Sequence, residues 1–159
     1  MGDVTLPLNG GCQCSALRYQ VTTPPMMIYA CHCTNCQKQT GSAFVLSAII
    51  NEATFSFSAG EPSKFEWTSD AGNRRYGYFC KDCGNRIANG QTPTSGVLSL
   101  RAGAFDDTSW VRPAGHIWVA SAQSWIKFEK EDILFDAQPT DYAPLVEHFR
   151  SFGLFATAN

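Results

Sequence analysis

The stretch Cys31-His32-Cys33-Thr34-Asn35-Cys36 sets three thiols and an imidazole within six residues. The chain holds seven cysteines, and the other four fall as two outlying pairs, Cys12/Cys14 and Cys80/Cys83. In Cys80-Lys81-Asp82-Cys83-Gly84 two residues separate the thiols, so a tight turn aims both sulfurs at one point. Gly84 permits the backbone conformation that follows such a turn. One knuckle supplies two ligands, whereas a structural zinc takes four in a tetrahedron. Cys12 and Cys14, read as lying i and i+2 on an extended chain, share a face and complete the set. This reading pins the first hairpin to a strand far later in the chain. The competing reading of the four as redox thiols calls for a CxxC beside a βαβ unit, and no such unit is legible.

That pairing leaves Cys31, Cys33 and Cys36 as a group of their own. Three thiolates hold one Zn²⁺ with a position free, which separates a catalytic zinc from a structural one. Thiolate ligands and a soft ion suit a sulfur substrate, whose thiol ionises near neutral pH when so bound. Two other readings stand beside this one. The triplet is a second structural site with His116 or His32 as fourth ligand, or Cys33 and Cys36 form a reversible disulfide. Alternation along an extended segment points His32 away from Cys31 and Cys33, so His116 is the better imidazole candidate. His148, on the tail, carries no chemistry in this reading. Lys38, Arg74, Arg75 and Arg101 are cations able to lower thiol pKa values or hold carboxylates, each set against plain surface solvation.

Outward from the cysteines, the patterning is that of short strands. Residues 1–9 form a loose lead-in, and alternation predicts strands over 17–21, 44–50, 53–58, 64–68, 74–79, 97–101, 117–120 and 125–128. Phe55 and Phe57 fall on one face of theirs. Residues 34–39 make one or two helical turns, stopped at Thr40-Gly41-Ser42. The exception to the β rhythm is the tail. There Tyr142, Leu145, Val146, Phe149 and Phe152 recur at helical spacing after a capping Asp141, with Pro144 in the first turn and Gly153 past the end. The reading is a mainly β chain, one domain over 1–159, with a helix over about 141–152.

Composition bounds the rest. At 159 residues, 44% hydrophobic and 16% charged, the chain suits one packed core. A formal charge of −2, more negative once thiols ionise around zinc, argues against a nucleic-acid partner. No apolar run approaches a membrane span, and the start reads as neither a secretory signal nor, with Leu6 where Ser or Thr is wanted, a myristoylation site. A cytoplasmic location is the expectation, where close cysteines are ligands more often than disulfides.

Three blocks together carry a resemblance. Gly11-Cys12-Gln13-Cys14 with Leu17-Arg18-Tyr19 comes first. Cys31-His32-Cys33-Thr34-Asn35-Cys36-Gln37-Lys38 with Gly41 follows, then Phe79-Cys80-Lys81-Asp82-Cys83-Gly84. In order and spacing they resemble the glutathione-dependent formaldehyde-activating enzyme family, which also includes the centromere protein V domain. His116-Ile117-Trp118-Val119 and Ser124-Trp125 look like its C-terminal His and Trp segments. The resemblance covers about 9–128.

It implies several coiled antiparallel β-sheets around a structural zinc, similar to the zinc folds of Rab-interacting suppressor proteins and methionine sulfoxide reductase B. It implies two zinc ions per chain, a structural one at Cys12, Cys14, Cys80 and Cys83 and a labile catalytic one at Cys31, Cys33 and Cys36. The implied activity is that of a carbon–sulfur lyase joining glutathione, or a similar small thiol, to formaldehyde as S-hydroxymethylglutathione. The alternative is a non-catalytic zinc-stabilised binding module of the same fold. Either exists as a monomer or homodimer. Methionine sulfoxide reduction is disfavoured, because it needs a redox cysteine beyond the ligands and none follows Cys83.

Overall fold

The computed structural model describes residues 4–155; the Met1-Gly2 start lies outside them. The fold is mainly β, with eleven strands, two α-helices and three single 3₁₀ turns in this stretch. A three-stranded sheet is made by β1 (Leu8–Gly11), β2 (Arg18–Val21) and β5 (Phe55–Ala59). An eight-stranded sheet takes β3 (Met27–Cys31), β4 (Val45–Asn51), β6 (Ser63–Thr68), β7 (Arg74–Phe79), β8 (Arg86–Thr92), β9 (Val97–Arg101), β10 (His116–Ile117) and β11 (Leu134–Phe135). Its spatial order is β11-β10-β3-β4-β9-β8-β7-β6. Pairing is antiparallel throughout except at one edge, where β10 runs parallel to both β3 and β11.

Register sorts the large sheet into two faces. Ile28, Ala48, Leu100, Ala88 and Tyr78 are direct partners across five neighbouring strands. The first four of these are fully buried. Phe57 of the small sheet meets Tyr78 edge-on at 5.6 Å, and Tyr19 with Val21 is buried behind it, so the core lies between the sheets. Partners point to the same side. The opposite row therefore reads Tyr29, Ser47 and Arg101, with Cys31 and Val45 beside it. This second face is polar where the first is aliphatic.

Helix α1 (Thr34–Thr40) and helix α2 (Ala143–Ser151) close the ends. Gly41 at φ +63° stops α1 in the left-handed region that glycine tolerates. The N-cap of α2 is Tyr142 and not the expected Asp141, whose carboxylate accepts from the Ala143 amide from one residue earlier; Pro144 sits in the first turn as the tail pattern predicts. Leu145 and Phe149 are its buried residues.

Four further expectations change. The lead-in is not loose as far as residue 9, because β1 already pairs Leu8 with Val21. The strand expected over 117–120 ends at Ile117, where Trp118 turns left-handed at φ 59° into a 3₁₀ turn. No strand forms over 125–128; Trp125 is two-thirds exposed, so its alternation has no core to face. The turn at Gly84 enters β8, whose Asn-Gly-Gln centre hid it from pattern reading.

Candidate metal centres

Cys12 and Cys14 reach one point by a turn rather than by strand alternation. The Ser15 amide donates to the Cys12 carbonyl at 3.0 Å, and Ser15 itself is left-handed at φ 64°. The turn folds Cys14 back beside Cys12, with sulfurs 3.6 Å apart. From the other side β7 delivers Cys80, whose sulfur lies 3.7 Å from that of Cys14. Gly84, at φ +74°, lets the knuckle close as its amide donates to the Cys80 carbonyl at 2.8 Å. All four sulfurs lie within 4.8 Å of one another. Bonds of about 2.3 Å in a tetrahedron put sulfurs roughly 3.8 Å apart, so the spacing fits one ion. The Leu17 amide donates to the Cys12 sulfur at 3.2 Å, and the Asn85 amide draws the Cys83 thiol down to about 6. Both favour thiolates. Cys80 and Cys12 are buried, whereas Cys14 is exposed.

Cys31, Cys33 and Cys36 form the second group, their sulfurs again within 4.8 Å. Cys31 ends β3. Cys33 caps α1, its sulfur accepting the Cys36 amide at 3.3 Å, and Cys36 stands one turn in. One short helix start thus brings the second and third sulfurs back to the first. Hydrogen bonds from the Cys31 and Cys36 thiols pull Cys33 down to about 2, and the same contacts push Cys31 up. Three sulfurs this close share their protons unevenly. All seven cysteines are free thiols.

Neither histidine joins the triplet. His116 is registered with Ala30 and Ile117 with Cys31, so His116 falls on the face that Cys31 does not occupy. Its Nδ1 lies 3.0 Å from His32 Nε2, its Nε2 3.8 Å from Asp132, and Phe128 packs on both rings. The expectation of His116 as the better fourth ligand is therefore replaced by an imidazole pair of buried His32 and half-buried His116. Burial, with the nearby His116, holds His32 down at about 4. His148 packs on Phe152 and its Nδ1 meets the Ala114 carbonyl at 2.8 Å. Of the cations, Lys38 is exposed, Arg74 pairs with Glu66 and Arg75 bonds Gln91, while Arg101 is buried on the triplet's face of the sheet.

Residues that pattern reading passed over hold the triplet in place. Gln37 Nε2 donates to the His32 carbonyl at 2.7 Å and to the Ser121 carbonyl at 2.9 Å. Ser121 Oγ donates to the same His32 carbonyl at 3.0 Å. The only sequence hint was the position of Gln37 directly after Cys36.

The fold is mainly β, and its two convergent cysteine groups could each hold a metal ion. The chain belongs to the glutathione-dependent formaldehyde-activating enzyme family, which it matches over residues 7–121. A relative from Penicillium rubens carrying the same family name is 29% identical over 108 residues. That match takes in 64% of this chain and 55% of the relative, so the chain spans about half the relative's length. A crystal structure of a Rhodobacter sphaeroides protein shares the fold, with a TM-score of 0.52 at 14% identity over 67% of this chain and 92% of that one. Among the described residues no helix is long and apolar enough to cross a membrane.

Proposed function

We propose that this chain is a zinc-dependent enzyme that adds the thiol of glutathione to formaldehyde, giving S-hydroxymethylglutathione; in reverse it is a carbon–sulfur lyase. The observation that carries the reading is the three-sulfur group. Cys12, Cys14, Cys80 and Cys83 suffice for a closed tetrahedral site, and Cys31, Cys33 and Cys36 are one donor short of a second. A zinc ion held there supplies a low pKa to a thiol at its open position. Cysteine sulfurs are the sole donors gathered at either point among the described residues, which suits zinc over harder ions.

The chain's own residues do the rest. Gln37 and Ser121 fix the His32 carbonyl between the first two ligands, so the three sulfurs are set before substrate arrives. Buried Arg101 places a positive charge near the sulfurs, offsetting a fourth thiolate. In the reaction the substrate sulfur forms a bond to the carbonyl carbon. The carbonyl π pair moves to oxygen, which takes a proton, and the proton lost by the thiol balances it. No oxidant or reductant is needed.

The test is exchange NMR on glutathione and formaldehyde with and without the zinc-loaded protein. Acceleration over the spontaneous rate, lost in Cys33→Ser, is the expected result. An unchanged exchange rate removes the formaldehyde reaction.

A further inference from the structure

A cavity of about 890 Å³ opens beside the four-sulfur group and reaches the C-terminal end of α1. It lies at the end of the large sheet where β4 and β8 begin and β9 ends. Cys12 and Gly84 of the four-sulfur group border one side. Gln39 and Thr40 border the other, three and four residues beyond Cys36 and so on the same side of α1. The size suits a ligand of a few hundred daltons.

Two of its wall residues, Arg86 and Arg101, are cations without a carboxylate partner among the described residues. Arg101 is 8% exposed. Its side chain has one protein partner, Gln39 Oε1, and its buried Nε has none. Arg86 donates to Asn89 at 2.8 Å and lies over the Phe65 and Trp67 rings at 5.9 and 5.7 Å. Asp106, the one acid lining the cavity among the described residues, is engaged by Arg18. A buried guanidinium with an idle donor is costly unless an anion meets it. The sulfurs of the triplet offset part of the Arg101 charge, whereas among the described residues no anion pairs with Arg86, which has only Asn89 and two aromatic rings. Arg101 also repels Arg86: burial first, then this like charge, draws the Arg86 pKa down.

We propose that Arg86 and Arg101 form a carboxylate-binding subsite, so that the thiol met at Cys31, Cys33 and Cys36 is one that carries an acid group. The proposal rests on the reading of the triplet as a thiol site and adds what selects the thiol. Planar guanidinium forks suit carboxylates. Gln39 and Thr40 at the cavity wall stand one helical turn from Cys36, which places the subsite on the triplet's side of α1.

Isothermal titration calorimetry on the zinc-loaded protein tests it with four probes. These are glutathione, its diethyl ester, S-methylglutathione and the diethyl ester of S-methylglutathione. The free acids bind about tenfold or more tighter than their esters. Arg86→Gln and Arg101→Gln each shrink that gap, and Arg101→Lys retains part of it. Should Arg101→Gln fail to fold, Arg86→Gln and the unmodified protein still decide the matter. Equal affinity for acid and ester, no binding of any acid, or a gap untouched by Arg86→Gln overturns the subsite. S-methylglutathione has no thiol to ligate an ion. Its preference over its ester therefore reports the subsite even if the triplet or the formaldehyde chemistry fails separately.

Discussion

Replacing Cys80 by Ser should be far more damaging than replacing Cys36 by Ser, although each removes one sulfur from a metal group. Cys80 is 1% exposed, follows β7 and meets the first hairpin through Cys14. A structural zinc of this kind is worth about 10–16 kcal/mol, or roughly 3–4 kcal/mol for each of four sulfurs. At about 2–4 °C per kcal/mol in a chain of this size, Cys80→Ser lowers Tm by roughly 6–16 °C. Cys36 lies half-buried on a seven-residue helix that contributes no buried residue to the core. Its loss should change stability by less than about 1 kcal/mol and Tm by under about 4 °C. Differential scanning calorimetry gives the Tm values, and elemental analysis gives zinc per chain, which should fall by about one in Cys36→Ser and by a fraction of one in Cys80→Ser, where three sulfurs remain to hold the ion. Equal Tm losses, or a Cys80→Ser protein that keeps its zinc and its Tm, would refute the division into a structural and an open group.

Three further outcomes follow. A mild chelator should strip the Cys31, Cys33 and Cys36 group first, abolishing exchange catalysis while far-UV circular dichroism stays unchanged, with activity restored by added zinc. Gln37→Ala should lower zinc affinity at that group about 10- to 100-fold, measured by competition with a chromogenic chelator, because the His32 carbonyl loses a holding bond. Leu145→Ala should destabilise by about 2–5 kcal/mol in urea titration, since the side chain is fully buried beneath α2.

Cysteine spacing made both sulfur groups legible, because ligand geometry is local: CxxC and CHCTNC need only a turn or a helix start. The strands at β4 and β9 were legible from apolar runs, and α2 from its 3.6-residue spacing. What stayed hidden depends on partners distant in sequence. β8 reads as Arg-Ile-Ala-Asn-Gly-Gln-Thr, a poor strand by composition, and exists because β7 and β9 flank it. Residues 125–128 alternate correctly yet find no strand to pair with. The histidine placement needed the parallel register of β10 on β3, which no spacing encodes. Arg101 was one of four candidate cations, and only the sheet shows it buried beside a cavity.

The contact between Cys14 and Cys80 spans 66 residues, and that span sets an order of events during synthesis. At roughly 5–20 residues per second, Cys80 leaves the ribosome on the order of 3–13 s after Cys14. For roughly the last two-thirds of that interval the growing chain displays Cys12, Cys14, Cys31, Cys33 and Cys36 and no finished tetrahedron. The group closest in sequence assembles first, and the one that secures the two sheets assembles last. On the proposed zinc reading, metal supply during translation bears on yield: an ion shared between the early pair and the triplet would have to be surrendered before β7 brings its knuckle home.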